Sequence, residues 1–218
     1  SHAEVIPTLY AAYQLAMRGE PGPVFIELPY NIGNFLGDVE DMPAFTGLEP
    51  QATFDRALVK QAAQLLVKAK QVGLFLGWGA VDCQVDLIEL AQLLNAPVAT
   101  TLQGLSSFPG NHPLHTGMGF GGYSVPAGQN AFAQCDAVLA IGTRFAEIPT
   151  GSFSMQVPED LVHIDINPDV FNANYPAKIA VQGDARAIIP ALLSEVRALQ
   201  TQAKEGTMTQ QIQQDKAA

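Results

Sequence analysis

From residue 51 onward, short apolar runs alternate with stretches of helical periodicity, and few folds accept that alternation. The runs lie near 72–76, 97–100, 137–141, 161–166 and 178–182. Between them, FDRALVKQAAQLLVKAK, DCQVDLIELAQLL, residues 124–134 and DARAIIPALLSEVRALQ carry the spacing of amphipathic helices. Strands that are apolar on both faces need cover on both faces, and a helix between successive strands is the usual route to a parallel neighbour. The pattern predicts a three-layer, Rossmann-like α/β domain around a central parallel sheet. Asp82 reads as the N-cap of the second helix and Asp184 as that of the last.

The first fifty residues follow another rule. Residues 3–18 have helical periodicity, GEPGP breaks the chain, and VFIEL at 24–28 reads as a short buried strand closed by Pro29. Residues 30–50 hold no period and many Gly, Pro and Asp. A structureless loop of that length inside a compact domain is uncommon, so a linker is expected there. The sequence thus divides into 1–29, a linker at 30–50, a main domain at 51–200 and a polar tail at 201–218. The tail is expected to fray or to lead towards another domain.

Composition narrows the function. The 218 residues are 48% apolar and 15% charged, with a formal net charge of −10. That charge disfavours nucleic acid and anionic membrane, and no run approaches the ~20 apolar residues of a membrane span. Little charge also leaves surface that suits contact with other protein, either in an oligomer or within a longer chain. Cys83 and Cys135 are isolated, as expected of thiols in a reducing compartment, and a cytoplasmic setting follows. The four histidines form no metal-ligand spacing. No nucleophile–base set and no carboxylate pair stands out.

Open parallel sheets bind ligands beyond the carboxyl ends of their strands. That rule selects Gly77 and Gly79 after the first strand, Thr101 and Leu102 after the second, and Gly142 and Arg144 after the third. Asp165 and Ile166 follow the fourth, and Asp184 the fifth. Glycine admits close backbone approach, and a guanidinium forks onto a pyrophosphate. A carboxylate accepts from a ribose hydroxyl or an adenine amine. Each also has a plainer reading: glycines as turns, Arg144 as an ion-pair residue with Glu147, Asp165 as a loop cap. GWGAVD at 77–82 lacks the full dinucleotide fingerprint, which argues against a nicotinamide oxidoreductase.

Several ordered segments resemble one family. PGPVFIELP at 21–29 looks like the closing strand of the pyrimidine-binding domain in thiamine-diphosphate-dependent enzymes. TTLQGLSSFPGNHPLHTGMGFGG at 100–122, AVLAIGTRF at 137–145, LVHIDINP at 161–168 and VQGDA at 181–185 resemble that family's central domain, most of all in acetolactate synthases. The resemblance implies a helix–strand remnant of a pyrimidine domain at 1–29, then a central domain. The missing pyrimidine and diphosphate domains would carry thiamine diphosphate and magnesium, so this stretch alone would not catalyse. It further implies a 2-oxo acid decarboxylase or carboligase, a lyase or transferase, assembled as a homodimer or homotetramer.

In such enzymes the central domain holds FAD, holds ADP or is empty. By resemblance, Arg144 would contact the pyrophosphate or ribityl portion, with Gly77, Gly79, Thr101, Leu102 and Gly142 along the dinucleotide. Asp165, Ile166 and Asp184 would lie near the adenosine end. Three departures bear on FAD. GWGA stands where the synthases have a glycine run, Phe120-Gly121 where they have Met-His, and Ile148 where they have a second Arg. A purely structural domain with a vestigial site and a standalone nucleotide-binding module remain the alternatives.

Overall fold

The computed structural model describes residues 1–39, 41–48 and 53–217. It separates into two compact units, Ser1–Ala52 and Thr53–Ala218.

The second unit is built on six parallel strands: β1 (Val72–Leu76), β2 (Val98–Thr100), β3 (His115–Met118), β4 (Ala137–Ile141), β5 (Asp160–Asp165) and β6 (Ile179–Gln182). They lie in the order β3-β2-β1-β4-β5-β6. Every residue of β1 and of β4 is buried, as their unbroken apolar runs require. The order turns between β1 and β4, whose register pairs Leu76 with Ile141 at the carboxyl ends. That turning point is where a doubly wound sheet opens its crevice.

The helices cover the sheet by the faces their sequences prescribe. In α3 (Arg56–Lys68), Val59, Ala62, Ala63 and Leu66 form one buried stripe at helical spacing. Its N-cap Asp55 accepts the N–H of Ala57 at 2.8 Å. In α6 (Ala185–Leu199), Ile188, Ile189, Leu192, Leu193 and Val196 do the same, and Asp184 caps the helix. Between them in sequence are α4 (Gln84–Leu94) and α5 (Pro126–Phe132).

Four expectations are corrected. Asp82 is not an N-cap: Trp78–Cys83 forms a 3₁₀ segment, and Cys83 precedes the first residue of α4. Residues 102–123, whose sequence shows no sustained period and predicts an irregular stretch, are not irregular throughout, because β3 pairs with β2 at the sheet's edge. HTGM has no β-branched alternation, Gly117 sits at φ +115°, and the pairing shifts register at Val98/Ala99. Nothing in its sequence marks such a strand.

The tail also departs from expectation. Residues Met208–Ala217 form α7, which packs on α5 through Met208 and Ile212, and Gln134 donates to Gln211 at 2.7 Å. Ahead of it, the Lys204 ammonium donates to the carbonyls of Ala69 and Leu66 at 2.6 and 3.2 Å, satisfying the open end of α3. Two apolar anchors four residues apart in a polar stretch suffice once a partner helix is present.

The fourth correction lies in the first unit. It holds a 3₁₀ turn at His2–Glu4, α1 (Val5–Met17) and the five-residue α2 (Tyr30–Asn34), so the expected linker is partly helical. Residues 24–28 are not a buried strand: they pair with no neighbour among the described residues, and Phe25 is 88% exposed. Strand propensity without a partner ladder leaves an extended segment. Glu40, Glu49, Pro50, Gln51 and Ala52, within or beside the expected linker, lie outside the described residues, as does Ala218.

Candidate functional site

The carboxyl ends of β1, β2 and β4 are held together by glycine. A Cβ on Gly77 would fall inside the carbonyl of Gly142, and one on Gly142 would fall inside the backbone of Gly79. One on Gly104 would meet the Cα of Gly77 at 2.9 Å. Gly142 is also left-handed, at φ +58°, as suits glycine. The nearby N–H groups are engaged within the protein. Gly77 donates to Ile141 at 2.9 Å, Gly79 to Gly142 at 3.2 Å and Thr101 to Leu76 at 2.8 Å. The glycines therefore meet a packing demand of the rim itself.

Of the two residues expected after β2, Thr101 is buried and its hydroxyl accepts the N–H of Gly104 at 3.0 Å, whereas Leu102 is exposed. Trp78 turns outward, 68% exposed, and Ile148 is likewise exposed. Phe120 is buried in the core and stacks on Phe132 with 4.1 Å between ring centroids.

The β4–β5 side differs in chemistry. Arg144 is exposed at the mouth of β4, while the next residue, Phe145, is 2% exposed at φ +50°. A bulky side chain in that region costs roughly 1–3 kcal/mol and persists where its surroundings impose it. Phe145 packs on Phe75, His163 and Tyr175, at centroid distances of 5.5, 5.3 and 5.0 Å. Beside Arg144, Asp165 is nearly buried and accepts the N–H of Asn167 at 2.9 Å. Burial pushes the Asp165 carboxyl up, against the pull of that N–H and of the Arg144 charge. Ile166 is half-buried next to it.

The β6 end of the rim is electronegative. The Asp184 carboxylate accepts the N–H of Arg186 at 2.8 Å and is gripped by the Arg186 guanidinium at 2.6–3.1 Å. Burial, and then the fields of Asp184, Asp82 and Asp86, push the Cys83 thiol up to about 11. The structure thus gathers Gly77, Gly79 and Gly142 into one contact and sets Arg144 beside Asp165. It commits the Asp184 carboxylate to a cap and an ion pair.

Two buried side-chain atoms near these ends, Thr100 Oγ1 and His163 Nδ1, have no hydrogen-bond partner among the described residues. Sequence reading missed two functional candidates, His163 and Asn174. A lone imidazole inside the apolar run LVHID was the available signal for the first; nothing marked the second.

Fold and rim together define a doubly wound α/β domain of the kind that carries ligands at the turning point of its sheet. The comparisons agree in kind. A family model described as "Thiamine pyrophosphate enzyme, central domain" matches residues 59–192, more than half of the chain, and the chain belongs to that family.

It is 34% identical over 210 residues to the probable acetolactate synthase large subunit of Methanocaldococcus jannaschii, a match covering 93% of this chain and 35% of that one. It is 36% identical over 193 residues to the acetolactate synthase isozyme 2 large subunit of Escherichia coli, covering 87% and 35%. The chain therefore spans about a third of the length of the relatives it matches. Its fold is also that of benzoylformate decarboxylase from Polynucleobacter necessarius, with a TM-score of 0.74 at 20% identity, over 95% of this chain and 38% of that one.

Among the described residues, no three His, Cys, Asp or Glu side chains converge to hold a metal ion.

Proposed function

We propose that this chain serves as the central domain of a thiamine-diphosphate-dependent 2-oxo acid decarboxylase or carboligase, acetolactate-synthase-like, and that it binds a nucleotide diphosphate on the rim around Arg144. In this reading thiamine diphosphate and magnesium belong to pyrimidine- and diphosphate-binding domains that act with it, in a cytoplasmic homodimer or homotetramer. When bound there, thiamine diphosphate supplies the nucleophilic carbon and the electron sink. This domain's own residues bind and orient, and it does not catalyse alone.

The observation that carries the nucleotide reading is Arg144, exposed at the carboxyl end of β4 beside Asp165. A guanidinium there suits a diphosphate, and the Asp165 carboxyl suits a hydroxyl or an amine of the nucleoside. FAD and ADP share that half.

The glycine contact favours a second reading, a structural domain without a ligand. It explains Gly77, Gly79 and Gly142 by packing alone and engages the N–H groups of Gly77 and Gly79.

Calorimetric titration of the chain with FAD and, separately, with ADP decides between them. Saturable binding lost in Arg144→Ala supports the nucleotide reading, and FAD favoured well above ADP specifies a flavin. Absence of binding by either ligand to the folded chain supports the structural one. Added thiamine diphosphate, magnesium and 2-oxo acid are expected to give no decarboxylation; measurable turnover would contradict the division of labour.

A further inference from the structure

Three consecutive carbonyls after β4 are each held by a side chain from elsewhere. The imidazole of His163, in the middle of β5, donates from Nε2 to the carbonyl of Thr143 at 2.8 Å. Nε2 is the protonated nitrogen because its partner can only accept. The side-chain amide of Asn174 donates to the carbonyls of Arg144 and Phe145 at 3.2 and 3.1 Å. The N–H of Phe145 donates to the Thr143 hydroxyl at 3.3 Å. Phe145 itself is locked by its ring against His163 and Tyr175.

Ending a strand needs none of this. Gly or Asn at 145 would take the left-handed conformation with little strain. The chain instead carries a buried aromatic in that conformation and binds the backbone on both sides of a single exposed residue, Arg144. Strain that the surroundings over-determine is characteristic of ligand clamps.

We propose that His163 and Asn174 are positioning residues for Arg144, fixing the Thr143–Phe145 turn so that the guanidinium is presented to the diphosphate of an adenine nucleotide. This rests on the nucleotide reading above and adds to it the groups that make the site pre-formed. A guanidinium whose backbone is already ordered loses less freedom on binding, so the clamp acts on affinity.

The test is ADP titration of the whole chain and its variants, with thermal unfolding in parallel. Asn174 is exposed, so Asn174→Ala should keep the melting temperature near that of the parent. Loss of its two bonds should weaken ADP by about tenfold. Arg144→Ala should weaken ADP by more than Asn174→Ala does, and Arg144→Ala with Asn174→Ala should lose no more than Arg144→Ala alone.

His163→Gln, which keeps an amide donor, should retain most of the affinity that His163→Leu loses. ADP affinity unchanged in Asn174→Ala, or a further loss added to Arg144→Ala, overturns the positioning role while leaving the nucleotide site standing. A parent chain that binds neither ADP nor FAD overturns both.

Discussion

The two sides of the rim are held shut by different means. On the β1 side, loops meet backbone to backbone through Gly77, Gly79, Gly104 and Gly142, with no room for one added carbon. On the β4–β5 side they meet through side chains: His163, Asn174 and the buried ring of Phe145. The first arrangement is all-or-nothing, since any side chain there displaces main chain. The second is graded, because each bond can be lost singly while the sheet stands.

The contrast can be broken most forcefully at Phe145. Phe145→Ala should lower unfolding free energy by about 3–5 kcal/mol, the range for emptying a buried aromatic site. Urea denaturation measures it, and a loss below about 1 kcal/mol would mean that the ring is not the anchor described here. Gly142→Ala comes next. Overpacking combined with a left-handed alanine should cost roughly 2–4 kcal/mol. If the variant proves as stable as the parent, the glycine contact is looser than its geometry implies.

A smaller effect sharpens the other side. Burial holds the His163 imidazole below its ordinary value of 6.5, with the Thr143 carbonyl opposing. The folded chain therefore declines a proton that the unfolded chain accepts as pH falls through 6.5, and stability drops in that interval. His115 and His112 are lowered by burial as well and add to the same slope. His163→Gln should flatten the dependence of unfolding free energy on pH below 6.5; an unchanged slope would assign it to the other two. Smallest of all, Trp78→Ala should shift stability by no more than about 0.5 kcal/mol, because the indole is mostly in water. A larger loss would show that the indole braces the glycine contact.

Legibility followed the reach of each interaction. β1 and β4 could be read almost to the residue, since five consecutive buried positions leave an unbroken apolar run. The Asp184 cap was readable because capping is local. β3 was not, because a short edge strand containing glycine takes its shape from its neighbour. Residues 24–28 show the converse: strong strand character, no pairing among the described residues and an exposed Phe25.

The site divides in the same way. The positions of Gly77, Gly142, Arg144 and Asp165 follow from the rule that ligands meet parallel sheets at the carboxyl ends. The clamp does not, because Asn174 stands 29 or 30 residues beyond the carbonyls it holds. No local pattern in the chain encodes that distance.

The glycine contact also constrains how such a chain can change over generations. Three loops separated by up to 65 positions, from Gly77 to Gly142, share one point of touch, so none can gain a side chain by itself. Drift at this corner is confined to simultaneous changes, which arise rarely. The exposed side chains around it, including Trp78 and Leu102, meet no such packing limit. Descent would thus preserve the glycine contact as a block while the outward faces diversify around it.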